Sequence, residues 1–134
     1  MSYLIEDLKK EHNLIIGILN EVKKIGIGSQ EAGDKLLSAK KGFLGHLKKE
    51  DDNLYPVLKK AAESDEKLKR ELTVLKEDLQ EISKFALGFF EKYSKGSALS
   101  LDFARDFGQL FAKLGARIKK EENILYEDYD RLTQ

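Results

Sequence analysis

Apolar positions recur along the chain at alternating steps of three and four, the spacing of one helix face. The first stripe runs through Ile5, Leu8, Ile15, Leu19 and Val22, with His12 set into it. The second runs through Leu36, Ala39, Phe43, Leu54, Val57 and Ala61, with His46 and Glu50 at its centre. The third, from Leu68 through Leu75, Leu79, Ile82, Ala86 and Phe89 to Tyr93, holds no charged residue or histidine. The fourth joins Phe103, Phe107, Leu110, Leu114 and Leu125, with Arg117 and Glu121 on it. This pattern predicts helices near residues 3–25, 30–63, 66–94 and 101–131. Gly26 and Gly28 offer a left-handed end to the first helix, Ser29 an N-cap to the second and Ser64-Asp65 a cap to the third. Lys95-Gly96-Ser97 reads as a turn, and Pro56 should kink the second helix without ending it. Each stripe alone would face water. Short connections let one chain bury all four together, as an all-α, antiparallel up-down-up-down four-helix bundle in a single domain, residues 1–134.

Composition narrows the function classes. The 134 residues carry 24 Lys plus Arg against 24 Asp plus Glu, so no net field draws nucleic acid or acidic lipid. There is no cysteine, which removes disulfides, thiolate metal sites and cysteine nucleophiles. The opening MSYLIEDLKKEHN lacks the apolar core of a secretion signal, and no stretch is apolar enough to span a membrane. The expectation is a cytoplasmic protein with no nucleic-acid and no membrane partner.

Candidate chemistry lies where polar residues interrupt the stripes. Burying such groups costs several kcal/mol unless they are paired or bind a metal. His46 and Glu50 are four residues apart, on one helix face, and imidazole with carboxylate is a ligand set that zinc, iron and manganese accept. His12 sits about midway along its own helix, so it can meet them at one level. The fourth helix adds Arg117, Glu121 and Glu122. The second and fourth helices also resemble one another: His46-Leu-Lys-Lys-Glu50, then Leu54-Tyr55, matches Arg117-Ile-Lys-Lys-Glu121, then Leu125-Tyr126. Structural readings stand beside these. His12 alone reads as a core histidine paired with a carboxylate, and the whole set as a self-satisfied polar cluster without metal. Close helix approach would account for Gly42, Gly45, Gly108 and Gly115. Tyr55 and Tyr126 are either partners of the carboxylates or surface residues.

The motifs LKKEHNLI around His12, HLKKEDDNLYP from His46 and IKKEENILY through Glu121 and Glu122 resemble hemerythrin-like (HHE) cation-binding domains over nearly the whole chain. In that family a helical bundle holds two metal ions, usually iron. The resemblance implies that His12 and His46 serve one ion, and that Glu50 and either Glu122 or its neighbour Glu121 are the bridging carboxylates. The other ion's set is missing: the third helix has no histidine, and Arg117 stands where the fourth should supply one. The resulting expectation is one mononuclear site for a divalent ion, iron or zinc, with Arg117 replacing the lost cation. Metal handling or redox or gas sensing is the expected role. The alternatives are a metal-free interaction module and, last, a di-metal oxygen carrier or oxidase. Affinity should fall below about pH 6 as ordinary imidazoles protonate.

Overall fold

The computed structural model describes residues 2–26, 29–93 and 100–133. Among them the chain is helical without strands. Helix α1 spans Tyr3–Ile25, α2 Gln30–Lys49, α3 Tyr55–Ala62, α4 Glu66–Tyr93, α5 Ser100–Lys120 and α6 Tyr126–Thr133. One π-helical turn, Glu50–Leu54, joins α2 to α3, and another, Glu121–Leu125, joins α5 to α6. The four predicted helices are therefore present, two of them interrupted. Gly28 and the turn Lys95-Gly96-Ser97 lie outside the described residues.

The caps follow side-chain chemistry. Ser29 Oγ accepts from Ala32 N at 3.1 Å, and Asp65 Oδ1 accepts from Leu68 N at 3.2 Å. At the end of α1, Gly26 takes φ 82°, a backbone that L side chains avoid, while its N–H bonds Val22 O. Close approach does not explain the four helical glycines. A methyl at Gly42 would meet Ile15 Cγ1 at 3.9 Å, an ordinary contact, and at Gly45, Gly108 and Gly115 it would meet nothing within 4 Å.

Pro56 was expected to kink the second helix; the irregularity instead precedes it. Tyr55 N–H bonds Glu50 O across the π turn, and Tyr126 N–H bonds Glu121 O in the same way, although Glu127 stands in the proline's place. Proline is therefore not the cause. A straight α-helix drifts ~40° for every step of four residues. The π turn takes in one extra residue and absorbs that drift. It moves the buried register by one, so Leu58 and Ala62 face the core where Val57 and Ala61 were expected.

Two apolar clusters result. One gathers Ile15, Leu19 and Val22 with Phe43, Phe89, Phe90 and Phe107; the other gathers Ile5, Leu8, Leu54, Leu58, Leu79 and Leu125. Between them lies a buried polar layer of His12, His46, Glu50, Arg117 and Glu121, each no more than 4% exposed.

Candidate metal centre

His12 comes from the middle of α1 and His46 from the end of α2, and their Nε2 atoms lie 3.1 Å apart. Glu121 Oε1 is 3.1 Å from His12 Nε2 and 3.9 Å from His46 Nε2. These three donors all lie within 4.8 Å of one another. Glu50 Oε2, outside that group of three, lies 3.4 Å from His46 Nε2. The two carboxylates are thus the first residues of the two π turns, where the helix opens by one residue. Tyr126, fully buried, donates its hydroxyl to Glu50 Oε2 at 2.9 Å and lies 3.2 Å from His12 Nε2. Burial, and the charges of Glu121 and Glu50 around it, push its pKa up, so it stays a phenol.

The far edge of each imidazole is clamped. His12 Nδ1 meets Glu122 Oε2 at 2.8 Å, and His46 Nδ1 meets Glu11 Oε1 at 2.8 Å. Carboxylate oxygens accept, so the imidazole nitrogen beside each carries the proton. In a neutral ring that leaves Nε2 bare. Two bare nitrogens 3.1 Å apart repel unless a proton on one of them or a metal ion stands with them. Nitrogens held at about 2.0–2.1 Å by one ion lie roughly 2.9–3.4 Å apart, so the observed spacing fits the group. Of the sequence candidates, His12, His46 and Glu121 therefore converge, with Glu50 beside His46. Glu122 does not join them: half-buried, it sits on the opposite edge of His12.

Arg117 meets the carboxylates from the other side. Its Nη2 donates to Glu50 Oε1 at 3.2 Å and to Glu121 Oε2 at 3.4 Å. Its Nη1 donates to Leu79 O and Ser83 Oγ, both at 2.7 Å. Each carboxylate thus turns one oxygen to the imidazoles and the other to the guanidinium. A single guanidinium nitrogen, Nη2, thus bridges the two acids.

The electrostatics follow. Burial alone would lower the His46 pKa, but the carboxylates of Glu121 and Glu50 outweigh it and raise it to about 10. Burial and the neighbouring Glu121 raise Glu50 to about 7. Burial opposes charge on Glu121 too, but Glu50, both imidazoles and Arg117 hold it well below the carboxylate range. Sequence reasoning missed Glu11 and Ser83. Glu11 lies one residue from the His12 stripe, at the helix edge, and reaches across to α2. Burial works against its charge, yet Lys49 and His46 hold its carboxyl low. Ser83 is an ordinary hydroxyl on the edge of the third stripe. Only the fold places it under Arg117.

The metal-free state predicts a pH dependence higher than ordinary imidazoles would give. A bound ion must displace the proton that His46 keeps up to about pH 10, so affinity should rise about tenfold per pH unit through neutrality. Metal-free stability runs the other way. A raised folded pKa stabilises fully below the unfolded value, roughly 6.5, and that contribution is lost as pH rises toward 10. Metal titrations and melts at pH 6, 7.5 and 9 read both slopes; a pH-independent affinity would contradict the assignment.

The hemerythrin HHE cation-binding domain family profile matches residues 3–129. No curated protein and no solved structure matches the chain at a significant level. No described helix is long and apolar enough to cross a membrane.

Proposed function

The chain belongs to the hemerythrin HHE cation-binding domain family, and from that premise we propose that it is a single-domain, antiparallel four-helix bundle holding one divalent ion, iron or zinc. His12 and His46 are its nitrogen ligands, through Nε2. Glu121 and Glu50 are its carboxylate ligands, through Oε1 and Oε2. Arg117 replaces the family's second ion, neutralising the oxygens that ion would have held. When bound, the ion supplies Lewis acidity, and in the case of iron a redox couple. That suits metal handling or redox or gas sensing in the cytoplasm.

The observation that carries this reading is the pair of carboxylate clamps on Nδ1. They fix both imidazoles in the tautomer that presents Nε2 to one point, the usual outer support of metal-bound histidine. Removing a clamp should loosen the ion without removing a ligand. Glu122→Ala is expected to weaken binding about 10–100-fold, and Glu122→Gln, which still offers an oxygen, should recover most of it. An unchanged affinity in Glu122→Ala would remove the support for His12 as a ligand.

The metal-free interaction module has one observation in its favour: a protonated His46 satisfies the same carboxylates that an ion would. The two readings differ in whether the purified chain carries metal.

A further inference from the structure

The second and fourth stripes end in matched tyrosines that do different things. Tyr126 is fully buried and donates to Glu50 Oε2. Tyr55, its counterpart at the start of α3, is half-buried, and its hydroxyl has no partner among the described residues. It lines a cleft of about 240 Å³ that runs between α3 and α4 to Arg117.

Helix periodicity makes the walls. Tyr55 and Lys59, four apart, share one face of α3, and Lys76, Gln80 and Ser83 share one face of α4. Leu47 and Leu79 add apolar wall. Arg117 closes the inner end. Its terminal nitrogens are taken by Glu50, Glu121, Leu79 O and Ser83 Oγ, and its Nε is buried without a partner.

Charge does not balance within the cleft. Glu50 is already held by Arg117 and Tyr126. Lys59 and Lys76 therefore share the cleft with one uncommitted acid, the exposed Asp51. Among the described residues neither lysine has an ion pair, and the Gln80 amide has no hydrogen bond. Donors in excess on one concave surface suit an acceptor from outside the chain. Two ammonium groups match a doubly charged head, and lysine serves phosphate as a point charge. The donors also outnumber the two oxygens of a carboxylate. The cleft is smaller than the ~300 Å³ at which pockets for drug-sized ligands begin, so the rest of the ligand is small.

We propose that the cleft between α3 and α4 binds a small phosphate monoester, with its phosphate between Lys59 and Lys76 and its apolar body against Leu47, Leu79 and the Tyr55 ring. The proposal does not rest on the ion, because α3 and α4 carry none of the residues assigned to it.

Phenyl phosphate is the probe, titrated calorimetrically into the purified chain, with inorganic phosphate and benzoate as comparators. One equivalent should bind, more tightly than either comparator. Lys59→Gln and Lys76→Gln should each weaken it about tenfold, the loss of one charge-assisted contact. Asp51→Asn removes the competing acid and should tighten it. Lys10→Gln, an exposed change on α1, should leave it unaltered. All four are surface substitutions that should keep the fold, which circular dichroism checks. No saturable binding at millimolar phenyl phosphate overturns the proposal. So does equal affinity for benzoate or inorganic phosphate, or an affinity that both lysine variants leave unchanged.

Discussion

Replacing His46 with alanine is expected to abolish cation binding and leave the helices intact. Removing an outer partner costs about 10–100-fold in affinity, and removing a ligand should cost more. The loss has two parts. One nitrogen donor disappears, and Glu11, now without an imidazole to orient, keeps only Lys49 as partner. Metal-free stability should also fall, because a protonated His46 meets the charges of Glu50 and Glu121, but the two apolar clusters, to which His46 does not belong, should keep the helices. Isothermal titration with zinc, together with circular dichroism, separates the two effects. Full occupancy in a folded His46→Ala variant would place the ion elsewhere or mark it as adventitious.

Arg117→Met should destabilise the metal-free protein by about 3–5 kcal/mol, the cost of removing one partner from a buried ionic cluster. Methionine retains apolar bulk, so the loss is chiefly electrostatic. Glu50 Oε1 and Glu121 Oε2 lose their cation, and Leu79 O and Ser83 Oγ lose a donor. In a domain of this size the melting temperature should fall by roughly 10–20 °C. Saturating zinc should recover part of that, because the ion partly neutralises the same two acids. An unchanged melting temperature in metal-free protein would show that the guanidinium contributes nothing to the layer.

Much of the fold was legible because each stripe keeps a helical period and each cap uses its usual residue. The π turns were less visible. Leu58 and Ala62 are as apolar as Val57 and Ala61, so composition favoured neither register. The signal was a run of four-residue steps, His46, Glu50, Leu54, Leu58 and Ala62, which a regular helix cannot keep on one face. The same run, Arg117, Glu121, Leu125, marks the second turn. At the centre, His12, His46 and Glu50 stood out as polar residues on apolar faces. Glu121 and Glu122 could not be told apart, since adjacent residues differ in direction by a helix rotation that the π turn shifts. Glu11 and Ser83 carried no signal, because their roles lie in contacts with other helices. Tyr126 was a candidate partner of the carboxylates and is one; its repeat mate Tyr55 lines the cleft.

The metal content of untagged protein, purified without added metal and measured by elemental analysis against protein concentration, bears most directly on the one-ion centre. One iron or zinc per chain is the expected result. No metal would mean that a protonated His46 and Arg117 satisfy the layer by themselves. Two ions per chain would contradict the role given to Arg117.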